Sequence, residues 1–129
     1  MEHALTDPAI LIIENDEETR KLYVDALSPV DAVLIEAGNP YEAFEQLGKR
    51  VLSLILTDLH MPGGGIEFLG NLRGADVLCP IIVITGLGGD TVRDAAMTAG
   101  ATVFLEKPIR TKQLREIVTR FLSSTPTIA

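Results

Sequence analysis

The residues able to do chemistry fall in four places: Glu14-Asn15-Asp16, Asp58, Thr85 and the pair Lys107-Pro108. Carboxylates and an amide oxygen are ligands that a hard cation such as Mg²⁺ takes. A lysine and a hydroxyl suit phosphoryl oxygens. A carboxylate such as Asp58 can itself be a nucleophile and form an aspartyl-phosphate. A divalent cation and an ammonium then neutralise the charge that spreads over the transferring group. Taken singly, each of these residues is equally well read as a polar residue that ends a strand. Only a fold that brings them together gives them a joint meaning.

Each group follows an apolar run. The runs are AILII (9–13), AVLIEA (32–37), SLILT (53–57), PIIVIT (80–85) and TVFLE (102–106). Their length and β-branched content predict buried strands. Helical patterns lie between and after them, at 16–28, 39–51, 65–74, 89–100 and 111–124. In the first, Leu22, Tyr23, Ala26 and Leu27 are expected on one inward face. Asn39 is placed to cap the second, with Pro40 at its first position. Alternating strands and helices imply right-handed crossovers and a parallel sheet covered on both faces, an α/β/α three-layer domain. Ligands of such sheets bind outside the carboxyl ends of the strands. The four chemically able groups stand at four of these five ends. The second strand ends in Glu36-Ala37-Gly38, which offers only a carboxylate.

The bulk properties narrow the class. A chain of 129 residues fits one domain, taken as residues 1–124 with an ordered core from about 9, and 125–129 as a flexible tail. Apolar residues make up 47%, too many for a disordered chain. The net charge of −7 argues against a basic nucleic-acid-binding face. Cys79 is the one cysteine, expected as a small buried residue, and it excludes an internal disulfide. No run is long enough for membrane insertion, and MEHALTDPA lacks a signal-peptide core, so a cytoplasmic protein is expected.

In order along the chain, the motifs resemble those of the receiver domains of two-component response regulators. ILIIENDEETR (10–20) is similar to the family's first strand with its acidic pair. LILTDLHMPGGGIEFL (54–69) resembles the phosphoacceptor motif, PIIVITGLGG (80–89) the switch strand, and GATVFLEKPI (100–109) the Lys-Pro motif. From Asn15 to Asp58 is 43 positions and from Thr85 to Lys107 is 22, both usual for the family. The resemblance implies a flavodoxin-like five-stranded sheet in order 2-1-3-4-5, the order the chemotaxis receiver has. It implies that Asp58 accepts a phosphoryl group from a sensor histidine kinase or histidine phosphotransfer protein. Mg²⁺ would be held by Glu14, Asn15 and Asp58, with Asp16 and the backbone of His60 as further candidates. Thr85 and Lys107 would contact the phosphoryl oxygens. Thr85 and Phe104 would form the switch, and Pro108 would follow a cis peptide bond. The output would be a changed surface on the fourth helix, fifth strand and fifth helix, meeting a downstream protein. The activity implied is signalling, with self-phosphorylation and autodephosphorylation only.

Three departures from the family pattern stand out. Asn15 occupies the position of an aspartate that ligates the metal, which removes one negative charge. The turn after Pro62 is one residue short, with Gly63 and Gly64 before Gly65. Phe104 keeps the ring of the commoner tyrosine without its hydroxyl. His60 lies two positions after Asp58, bordering the phosphoryl site in the family. The first two departures motivate a rival reading, a phosphate-independent interaction module of the same fold. A phosphatase of the Asp-x-Asp type is a second rival, but His60 stands where its general acid would be.

Overall fold

A computed structural model of the chain describes residues 7–75 and 77–123. The elements alternate as β1 (Ala9–Ile13), α1 (Glu17–Leu27), β2 (Val33–Ala37), α2 (Pro40–Leu47), β3 (Leu54–Thr57), α3 (Ile66–Gly74), β4 (Ile81–Thr85), α4 (Asp90–Ala99), β5 (Val103–Glu106) and α5 (Thr111–Ser123). All strands are parallel and lie in the order β2-β1-β3-β4-β5, as the motifs imply. The tail expected at 125–129 lies outside the described residues, as does Asp76. Among the described residues no helix is long and apolar enough to cross a membrane.

Strand alternation divides the core. On β1, Ile10 and Ile12 join Tyr23, Leu27, Leu114 and Val118, while Leu11 and Ile13 join Phe68, Leu72 and Ala96. Side chains one residue apart point to opposite faces. So α1 and α5 cover one side of the sheet, and α2, α3 and α4 the other. The three central strands are buried along their whole length. Coverage is not uniform, however. The edge strand β2 is only partly buried, because one neighbour and one helical layer end there.

Local chemistry sets the helix boundaries. Asp16 caps α1 by accepting from Thr19 N–H at 3.0 Å, and Asn39 caps α2 by accepting from Glu42 N–H at 2.9 Å. Such caps satisfy donors that the first turn leaves unpaired. Helix α2 stops at Leu47, short of the expected 51. Residues 48–53 are needed to cross the lower edge of the sheet, where Ser53 N–H reaches Ala9 O at 2.8 Å. Leu22 departs from its expected inward place and is half-exposed, whereas Tyr23, Ala26 and Leu27 are buried. Leu22 and Tyr23 differ by a rotation of about 100° around the helix, so they cannot both face the core squarely. Cys79 is half-buried rather than fully buried, and burial pushes its thiol pKa up.

Arg73 fastens the layer of α3 and α4. Its guanidinium donates to Gly100 O at 2.9 and 2.7 Å, to Val77 O at 3.0 Å and to Cys79 O at 2.7 Å. Replacing it with alanine strips three carbonyls of a charged donor. The expected loss is about 2 kcal/mol of unfolding free energy, read as a lower urea midpoint. An unchanged midpoint would mean that water replaces the guanidinium without cost.

Candidate functional site: a carboxylate rim bridged by lysine

The rim is built by backbone hydrogen bonds that continue the sheet beyond its strands. Glu14 N–H donates to Ala37 O at 3.0 Å, and Asp58 N–H to Ile13 O at 3.1 Å. Lys107 N–H donates to Thr85 O at 2.8 Å. Each side chain therefore leaves a rigid mount. The chain then turns away sharply. Gly63 and Gly65 adopt φ of 76° and 94°, values that favour glycine. A Cβ on Gly64 would lie 2.7 Å from Met61 Cγ and 3.0 Å from two backbone oxygens. The glycine triplet thus accommodates the shortened turn.

Two carboxylates and one ammonium meet at the centre. Lys107 Nζ lies 2.7 Å from Glu14 Oε1 and 2.7 Å from Asp58 Oδ2. Glu14 is 1% exposed and Asp58 5%. The second oxygen of Asp58, Oδ1, accepts from His60 N–H at 2.9 Å. Arg20 steadies the approach by donating to Glu14 O at 2.6 Å and to Glu36 Oε1 at 3.1 Å. Thr85 is fully buried, and its hydroxyl accepts from Leu87 N–H at 3.2 Å.

Environment separates the two carboxylates. Burial raises the Glu14 pKa above the usual range, and Lys107 does not fully offset that and the nearby Asp58 charge. Burial also opposes charge on Asp58, but the His60 N–H, Lys107 and the Thr85 hydroxyl together bring its pKa below the usual range. Burial likewise opposes charge on Lys107, and the two carboxylates outweigh it and raise the lysine. The two environments thus push the carboxylates apart, and Asp58 is the one whose charged form is favoured by the hydrogen bonds it accepts.

The sign for Glu14 leads to a pH prediction. A carboxyl with a raised folded-state pKa adds stability below its unfolded pKa and loses it as pH rises through the folded value. Glu14→Gln is accordingly expected to be more stable than wild type at pH 7. The advantage should shrink as pH falls toward about 4. Urea unfolding at both pH values reads this, and a variant less stable at pH 7 would contradict it.

The rim suits a hard cation in part. Glu14 Oε2 is buried and lacks a hydrogen-bond partner, and the Glu14–Lys107–Asp58 cluster carries one net negative charge. Mg²⁺ commonly takes only one or two protein carboxylates and keeps several waters. Glu14 and Asp58 could supply those two. Asn15 is exposed, and the Asp16 carboxylate is occupied as the α1 cap, which also lowers its pKa through Thr19. Among the described residues no group of three His, Cys, Asp or Glu side chains is gathered tightly enough to hold a metal.

On the flank, Phe104 is buried in the core between the sheet and α4. The Arg93 guanidinium lies 5.7 Å from its ring centroid, within cation–π range. Glu106 Oε1 accepts from Gly89 N–H at 3.1 Å and lies 4.0 Å from Arg93. The Lys107–Pro108 peptide is cis. Sequence reasoning missed Arg20, Arg93 and Glu106. Arg20 and Glu106 stand within the first and last motif stretches and Arg93 outside all four, but each acts through a partner brought close only by the fold.

Residues 10–119 match the response regulator receiver domain family. The chain belongs to this family. Its relatives include the transcriptional regulatory protein FixJ of Rhizobium meliloti, 33% identical over 90% of this chain and 57% of FixJ. The cyclic di-GMP phosphodiesterase response regulator RpfG of Xanthomonas campestris is 33% identical over 82% of this chain and 29% of its own length. The receiver thus spans about half or less of the first curated relatives it matches. Among solved structures, the Francisella response regulator 1452 receiver domain superposes with a TM-score of 0.85 at 21% identity, over 93% of this chain and all of that one. The receiver domain of a putative LuxO repressor from Vibrio parahaemolyticus gives 0.84 at 24% identity, with 91% of each chain covered.

Proposed function

We propose that this receiver domain takes a phosphoryl group onto Asp58 from a phosphohistidine of a sensor kinase or phosphotransfer protein, and in doing so changes its protein contacts. The observation that carries the reading is the lysine bridge: one ammonium 2.7 Å from each of two buried carboxylates, with the Asp58 pKa lowered by the hydrogen bonds it accepts. An Asp58 carboxylate oxygen attacks phosphorus, forming the acyl-phosphate O–P bond while the P–N bond to the donor imidazole breaks. The bonding electrons leave with the imidazole, which takes up a proton. Lys107 moves its charge onto the phosphoryl oxygens, and Thr85 turns its hydroxyl toward them. Water later hydrolyses the acyl phosphate and regenerates the carboxylate. Bound Mg²⁺, held by Glu14 and Asp58, would neutralise part of the phosphoryl charge.

The switch follows from the same geometry. When Thr85 moves toward the phosphoryl group, the space beside it becomes available to Phe104. The ring then leaves the Arg93 guanidinium, and the α4–β5–α5 surface alters for a downstream protein in the cytoplasm. Phosphorylation needs only to shift two pre-existing populations. The second reading, a phosphate-independent interaction module, draws on the exposed Asn15 and on the lack of a third gathered ligand among the described residues. Intact-mass measurement after incubation with acetyl phosphate separates the two. The proposed function expects one phosphoryl adduct that depends on Mg²⁺. No adduct under saturating donor and Mg²⁺ would favour the module.

A further inference from the structure

We propose that the edge of the sheet opposite Asp58 docks an acidic, amphipathic protein segment. A groove of about 530 Å³ lies between the loop at 48–53 and the loop at 75–80. Leu47, Leu52 and Val77 line it. On its lips Val51 is 90% exposed and Leu78 93%, the most exposed large hydrophobics among the described residues. Single exposed apolar residues are ordinary, but a pair flanking one apolar concavity marks an interaction surface. The groove is also preformed. Arg73 holds Val77 O and Cys79 O on one side, and Ser53 is bonded to Ala9 through both N–H and hydroxyl on the other. Docking there would require little ordering of loops.

Charge and shape choose the occupant. Lys49 and Arg50 line the groove, although the chain carries a net charge of −7. Arg50 donates to Asp7 O at 3.5 Å, which leaves its charge on the groove's lip. An acidic segment is attracted here and repelled by most of the remaining surface, which sets both place and orientation. A small molecule could fill the concavity but would leave the Val51 and Leu78 side chains in water. A helix or extended segment with aliphatic anchors covers both.

The groove lies where β3 and β4 begin, whereas Asp58 follows the end of β3. The rise from Leu54 to Asp58 is roughly 13 Å at the usual strand spacing. A segment seated in the groove leaves the carboxylate rim open, so docking and phosphoryl transfer can coexist. Titration of the ¹⁵N-labelled protein with a short amphipathic peptide of Leu, Ala and Glu tests this. The same peptide with Lys for Glu is the control. Saturable shifts are expected at 48–52 and 77–79, from the acidic peptide only and weakened by salt. Val51→Asp with Leu78→Asp, and separately Lys49→Glu with Arg50→Glu, should each weaken binding roughly tenfold or more. Val51, Leu78 and Lys49 are exposed and Arg50 half-buried, and the amide spectrum of each variant checks that the fold is retained. Equal binding of the lysine peptide, or shifts confined to other surfaces, would overturn the proposal. So would concentration-dependent shifts at the groove without peptide, which would assign it to a second copy.

Discussion

Lys107→Met should destabilise the domain by about 3 kcal/mol at pH 7, because it leaves two buried carboxylates facing each other without their cation. Glu14 and Asp58 are both almost fully buried, and Lys107 touches each at 2.7 Å. Adding Asp58→Asn should recover a substantial part of the loss, since it removes one of the two like charges. That recovery distinguishes electrostatics from lost packing of the lysine stem. The pH dependence provides a second check. Without Lys107 both carboxyl pKa values rise in the folded state, so their stability contribution is present at low pH and lost as pH rises. The deficit relative to wild type is therefore largest near neutral pH and narrows toward pH about 4. Urea unfolding of the two single variants and the double variant gives the full cycle. A deficit that is independent of pH and not relieved by Asp58→Asn would mean that the bridge is incidental to the fold.

Asn15→Asp should tighten Mg²⁺ binding by roughly tenfold or more. A further carboxylate about 4 Å from the cation adds roughly 4 kcal/mol of attraction at an effective dielectric of 20, of which desolvation cancels a large share. The two buried rim carboxylates of the wild type, Glu14 and Asp58, are both engaged by Lys107. Calorimetric titration of both proteins reads the difference. Asp16→Asn serves as the contrast, because Asp16 is the α1 cap and its substitution should leave the metal affinity nearly unchanged. Equal affinities of wild type and Asn15→Asp would show that residue 15 does not approach the cation in solution.

The fold was legible because local and global signals agreed. Five apolar runs and the helical segments between them required a parallel sheet, and the motifs fixed its order. The strand ends carrying Glu14, Asp58, Thr85 and Lys107 could be named from the sequence, since a parallel sheet gathers its strand ends on one edge. What the sequence did not show was which of these groups touch. Residues Glu14 and Lys107 are 93 positions apart, and their 2.7 Å contact depends on β1 and β5 presenting long side chains across β3 and β4. Similarly, Asp16 was offered by sequence as a further metal ligand, and only the structure shows its carboxylate accepting from the Thr19 N–H and hydroxyl as the α1 cap. Leu22 looked inward by pattern because four apolar residues over positions 22–27 cannot reveal which way a helix is rotated on its sheet. Arg93 over Phe104 and Glu106 under Gly89 were invisible for a related reason: each depends on how α4 sits against β5.

The central claim is that Asp58 receives the phosphoryl group. Borohydride reduction of the phosphorylated protein converts an aspartyl-phosphate to homoserine, and peptide mass spectrometry then locates that residue. The lysine-bridged rim predicts homoserine at position 58 and none in Asp58→Asn treated alike. Homoserine absent under saturating donor and Mg²⁺, or a phosphoryl group that persists in Asp58→Asn, would contradict it.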